Sequence, residues 1–212
     1  MVSLSDQPQG TPSMVRLFAL IFLPFALGYF FSYLYRTVNA VIGPDLAVEI
    51  SLSPGELGLL TSAYFITFAA AQIPVGIYLD SHGPRRVVTV LLLIAAIGAF
   101  VFSIGDGLWS LMAGRALIGL GVAACLMGSF KAMSEWCPGE KLPFMNGLVV
   151  AFGGLGAMVA TAPTEALVSE VGWRYGFVAL SLATVVVAAA IWFVVPERER
   201  AGASEPMTSR IG

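Results

Sequence analysis

Long apolar runs separated by short polar segments make up most of this chain. Six of them, roughly Leu17–Val41, Leu57–Leu79, Val87–Ser103, Leu108–Ala132, Phe144–Val168 and Phe177–Val195, approach or exceed the ~17–25 residues a helix needs to cross a bilayer. Alternating ten-residue segments of the barrel kind are absent, so the runs predict helices. The connecting loops are short, which predicts antiparallel packing of neighbours. Residues 1–13, rich in Ser, Gln, Pro, Gly and Thr, read as a disordered cytoplasmic lead, and Glu197–Gly212 as a cytoplasmic polar tail. Residues 14–196 are left as a six-helix transmembrane bundle.

Composition turns that pattern into a solvent argument. The chain is 58% hydrophobic and 11% charged, with a mean hydropathy of +0.86. A 212-residue soluble domain has no core large enough for so much apolar surface, so lipid is its solvent. Charge placement then orients it. With the amino terminus inside, the inner side collects Arg16, Arg85, Arg86, Lys141, Arg198, Arg200 and Arg210, with Lys131 nearby. The outer side holds Asp45, Glu49, Glu56, Asp106, Glu165 and Glu170 against one base, Arg174. This positive-inside asymmetry predicts a multi-pass protein of the cell membrane, a bacterial inner membrane, with both termini cytoplasmic. The first fifteen residues lack a basic cluster and the first apolar run is long, so no cleavable signal is expected. Cys125 and Cys137 are not at metal-binding spacing and read as free thiols.

Between the second and third runs stands Gly76-x-x-x-Asp80-x-x-Gly83-x-Arg85-Arg86. The glycines allow close helix approach and a tight turn. Asp80 ends one helix where a carboxylate can face a positive helix amino terminus. Arg85 and Arg86 anchor the inner side and are expected to pair with Glu135 or Glu140. This segment resembles the cytoplasmic signature loop of the major facilitator superfamily. Arg115-x-x-x-Gly119-x-Gly121 in the fourth run is similar to that superfamily's second signature, and Gly172-Trp173-Arg174-Tyr175-x-Phe177 before the sixth is a third shared feature. The resemblance covers about residues 15–196. It implies an all-α bundle of three-plus-three inverted repeats, half of a twelve-span carrier. It also implies that Asp80, with Gly76, Gly83, Arg85 and Arg86, latches this half to a second one. Ser81 departs from the pattern, which places a basic residue there. Pro74 and Pro163, one in each set of three spans, fit such a repeat.

Within the first run, Tyr29, Ser32, Arg36 and Asn39 follow at spacings of three, four and three, which puts them on one helix face. A charge at membrane depth costs about 2.5–3.5 kcal/mol on insertion scales, so Arg36 is expected to face a cavity or a partner. A guanidinium lining a wet cleft favours carboxylate or phosphate, held by paired hydrogen bonds. The segment Tyr35–Leu46 also resembles the first helix of organic-anion carriers of the superfamily, which implies that Arg36 touches substrate. The other reading is that Arg36 reaches the outer interface or pairs with an internal acid. In the second run Thr61, Tyr64, Phe68 and Gln72 share a face, either as the opposite wall of that cleft or as interhelical packing. Arg115 and Gly119 read as structural or coupling residues, and Lys131 as a snorkelling one.

No acidic residue lies deep in any run, so no membrane proton relay is expected within this half, and the glycine–proline signature of drug–proton antiporters is unmatched. No cofactor, metal site or enzymatic activity is expected, and no nucleic-acid contact. Two functions fit. One is transport of a small, anionic organic solute by alternating access, as a half-transporter completed by a second six-helix bundle, a homodimer mate or another chain. The other is a non-transporting membrane subunit or assembly factor that keeps the half-fold and binds a larger complex.

Overall fold

The computed structural model describes residues 14–197. It contains six helices long and apolar enough to cross a membrane: Met14–Glu49, Pro54–His82, Pro84–Ser103, Leu108–Trp136, Gly139–Val159 and Trp173–Val194, here called the first to sixth spans. A short helix, Ala162–Val171, lies between the last two. No strand occurs among the described residues. The lead expected over residues 1–13 and the tail beyond Glu197 lie outside the described residues.

The first span runs past its expected end at Val41, through Pro44, to Glu49. Proline removes the donor that the carbonyl of residue 40 would use, yet the helix continues for five residues beyond it. The second span starts on a capping box. The Ser53 hydroxyl accepts from the Glu56 N–H at 3.3 Å, and the Glu56 carboxylate accepts from the Ser53 N–H at 2.8 Å. The fourth span tightens at Ala123 and Ala124, both in right-handed helical geometry, without turning away. The fifth stops at Val159. Pro163 then sits in the first turn of the short helix, so Glu165 opens that helix instead of closing the span.

Packing departs from simple neighbour-to-neighbour order. The closest partners are third with fourth, third with sixth, first with fifth, and second with fourth; the sequence neighbours first and second barely touch. Short loops fix direction but not partnership, because loop length says nothing about which faces can approach. Three of the four pairs obey an internal symmetry, while third–fourth is far more extensive than its image, sixth–first. Exchanging spans one, two and three for four, five and six turns the first–fifth pair into the fourth–second pair, and maps third–sixth onto itself. Three spans repeated in inverted order give these three contacts.

Glycine makes these contacts close. A Cβ on Gly98 would stand 2.8 Å from the Gly114 carbonyl, and one on Gly114 would stand 2.9 Å from the Gly98 carbonyl. Gly121 lies equally tight on the backbone of Leu91 and Ala95, Gly119 on the Tyr64 carbonyl, and Gly156 on the Phe30 carbonyl. In lipid the hydrophobic effect does not draw helices together, so van der Waals contact at such crossings holds the bundle. Gly121→Leu should therefore force the third and fourth spans apart and destabilise the protein by about 1–3 kcal/mol or more. A clear fall in the thermal unfolding midpoint in detergent is expected.

Candidate functional site

Both ends of the bundle are fastened by an arginine that follows a glycine. Gly83 has φ 80° and ψ 160°, Gly172 has φ 82° and ψ 154°, and each directly precedes a span. Their N–H groups donate to the Leu79 and Val168 carbonyls, closing the helices before them. Two residues on, Arg85 donates through Nε (2.9 Å) and a terminal nitrogen (2.5 Å) to the Trp192 carbonyl at the end of the sixth span. Arg174, two residues after Gly172, donates to the Ser103 and Gly105 carbonyls at the end of the third, at 3.0 and 2.9 Å. The third and sixth spans thus exchange reciprocal clasps, each satisfying carbonyls that a helix end leaves open. The same interval separates Pro74 from Pro163, Gly83 from Gly172 and Arg85 from Arg174. Pro74 leaves its helix continuous while Pro163 opens a new one, so the repeat survives in position but not in local shape.

The Arg174 clasp is reinforced by charge. Its Nε donates to Glu49 Oε1 at 2.8 Å, a terminal nitrogen lies 3.3 Å from Asp106 Oδ1, and its guanidinium sits 4.5 Å from the Trp173 ring centroid. Trp173 Nε1 donates to Glu49 Oε2 at 2.6 Å. At the opposite end the expected partners change. Arg85 and Arg86 pair with Glu197, not with Glu135 or Glu140, because the third span opens beside the end of the sixth and Glu197 follows it. Asp80 takes Lys131 of the fourth span at 2.5 Å, so Lys131 is bound across the second–fourth contact instead of only reaching for solvent. Gly83 makes the expected turn. Gly76 does not mediate a close approach inside the bundle: a Cβ there would meet nothing within 4 Å. Cys137, between spans, is half-buried, and burial raises its thiol pKa.

The stripe on the first span is largely closed. Tyr29, Ser32 and Asn39 are buried, as is Tyr64 across from them; Arg36, Thr61, Phe68 and Gln72 are partly exposed. Tyr29 packs edge-on to Tyr33 and against Gly153 of the fifth span. Tyr64 stacks on Phe68, with its hydroxyl 3.5 Å from the Ser32 carbonyl. Gln72 donates to the Phe68 carbonyl of its own helix at 3.3 Å. Thr61 gives its proton to the Leu57 carbonyl at 3.1 Å, so it must accept from Asn39 Nδ2 at 2.8 Å. That fixes the amide and leaves Asn39 Oδ1 buried without a partner.

Arg36 stands among aromatic faces. Its guanidinium carbon lies 4.9 Å from the Tyr33 ring centroid, 5.0 Å from Phe68 and 5.7 Å from Phe65. Its Nε is buried without a hydrogen-bond partner, and it enters none of the ion pairs formed by described residues. Rings attract a guanidinium but take none of its N–H donors. Tyr33 and Phe65 lie outside the two stripes; for Tyr33, an aromatic residue three positions before an arginine within a span is the signal the sequence offers. Arg115 is fully buried, donates to the Tyr35 carbonyl at 3.0 Å and lies near the Tyr64 and Phe102 rings. It joins the fourth span to the first, beside the Gly119 contact with Tyr64.

Comparison with known proteins follows the same outline. The Major Facilitator Superfamily family model matches residues 25–209. A probable sulfoacetate transporter of Cupriavidus necator is 29% identical over 73% of this chain and 36% of its own length. A nitrite extrusion protein of Bacillus subtilis is 30% identical over 61% of this chain and 32% of its own. A niacin transporter of Acinetobacter baylyi is 28% identical over 76% and 37%. The chain thus spans about a third of the length of these curated relatives. The Arg174 clasp supplies its own test. In a double-mutant cycle, Arg174→Gln and Glu49→Gln should each lower the unfolding midpoint, with a coupling energy of about 0.2–1 kcal/mol, as for other partly exposed pairs.

Proposed function

This chain belongs to the major facilitator superfamily, and from that premise we propose that it forms one half of a carrier for a small organic anion, working by alternating access with a second six-helix bundle. The observation that carries the reading is Arg36: a partly buried cation, ringed by aromatic faces, with no acidic partner among the described residues. A fixed positive charge held without a counterion is a standing site for a carboxylate or sulfonate, which accepts paired N–H bonds from a guanidinium. Asn39, one turn on, offers its free carbonyl oxygen to a donor on the same solute. The relatives named for sulfoacetate and niacin support a solute of this class, and the one named for nitrite supports a small anion.

The second bundle is supported by surfaces this half leaves bare. The second and fifth spans, symmetry mates, are the least buried of the six. Gly58 and Gly76 on the second, and Gly147 and Gly154 on the fifth, have nothing within 4 Å of a Cβ position, in contrast to the filled glycine crossings inside. Small residues bare to the outside are suited to another helix. In this reading Asp80, with Gly76 and the Gly83–Arg86 turn, latches the inner side to that bundle in one conformation. The positive-inside distribution supports both termini on the cytoplasmic side of a bacterial inner membrane.

Uptake of a labelled short-chain carboxylate or sulfonate into cells producing the protein tests the site. Arg36→Ala should reduce uptake at least ten-fold and Arg36→Lys should restore part of it, with membrane insertion unchanged; uptake unaffected by Arg36→Ala rules out the anion site. A separate prediction concerns the bare faces. Gly154→Leu should leave the thermal unfolding midpoint within the range of surface substitutions, about ±0.5 kcal/mol in stability, yet lower uptake strongly by keeping the second bundle away.

A further inference from the structure

We propose that an open-sided groove between the second, third and fourth spans is a site for an anionic phospholipid, one acyl chain lying in the groove and the phosphate resting at Arg86 and His82. It rests on the membrane embedding of the chain and is independent of the transport reading. The groove has a volume of about 610 Å³ and an almost wholly apolar wall, formed by residues such as Ala70, Pro74, Val90, Leu91 and Leu120. That volume falls within the ~300–1,000 Å³ of ordinary ligand sites. It exists because the second span packs on the fourth and makes little contact with the third, leaving a furrow beside Pro74. None of the candidate solute residues lines it, and its wall offers a polar solute nothing to bond.

Length and charge name the occupant. The lining runs along the second span from Thr67 to His82, roughly 22 Å at 1.5 Å per residue. One leaflet's share of the hydrocarbon core is about 15 Å, so the furrow holds an acyl chain and still reaches the headgroup level. At that end Tyr78, His82 and Arg86 line the mouth. Of the arginines, Arg86 lines the mouth; it pairs with the Glu197 carboxylate, which Arg85 also meets, leaving one net positive charge among the three. Arg85 is turned to the Trp192 carbonyl, whereas Arg86 keeps more than half of its side chain exposed. Asp80 is engaged with Lys131. A guanidinium at the inner end of an apolar furrow between spans matches a phosphodiester with its tail buried.

Native mass spectrometry of the purified chain in mixed micelles of phosphatidylglycerol and phosphatidylcholine tests this. Phosphatidylglycerol should remain bound at least ten-fold more often than phosphatidylcholine. Arg86→Gln should cut that preference several-fold, and Ala70→Phe, which fills an exposed stretch of the groove, should reduce retention of both lipids. Glu197→Gln breaks the same ion pair while sparing the guanidinium, so it should keep or raise phosphatidylglycerol retention. The proposal is overturned if both lipids are retained equally, or if Ala70→Phe changes nothing. It is also overturned if Glu197→Gln loses the lipid as Arg86→Gln does, or if millimolar glycerol phosphate displaces the lipid completely.

Discussion

Close backbone contact at glycine is the constraint from which the rest of this structure follows. Lipid gives apolar helices no reason to associate, so the spans need surfaces that fit. Where Gly98 meets Gly114, and where Gly121, Gly119 and Gly156 touch neighbouring backbones, any larger residue would separate the helices. These crossings choose second–fourth and first–fifth over the neighbours first–second, and tighten third–fourth. Once chosen, they bring the third span alongside the sixth, where reciprocal arginine clasps close both ends.

The clasps and the candidate site divide the positive charge by role. Arg85, Arg174 and Arg115 each donate to backbone carbonyls at helix crossings or ends, and the first two also meet carboxylates. Arg36 does neither. It is held by ring faces and lies beside the Tyr64 hydroxyl, with its Nε buried and unbonded. Arg115 likewise keeps a buried Nε without a partner, but it is wholly enclosed by the bundle, whereas Arg36 is partly exposed and its charge is open to a group from outside.

Much of this was legible in the sequence. The six runs gave the spans, and the three motifs gave the family and the inverted repeat. The Gly-x-Arg interval relating residues 83 and 85 to 172 and 174 is in the sequence too, beside the prolines at 74 and 163. What the sequence hid was partnership. Loop proximity points Arg85 and Arg86 to Glu135 or Glu140, whereas helix packing puts Glu197 beside them. Likewise a helical-wheel face tells which residues point together but not whether that face is covered. Tyr29, Ser32 and Asn39 share the face of Arg36 and are buried by neighbouring spans that no periodicity locates.

The central claim, that this bundle works against a second one, is tested most directly by photo-crosslinking in native membranes from the bare glycine faces. A photoreactive amino acid at position 76 or 147 should capture residues of another six-helix bundle, from the same polypeptide, a second copy or another chain, identified by mass spectrometry of the adduct. Adducts with lipid alone, or with an unrelated protein, would contradict the account.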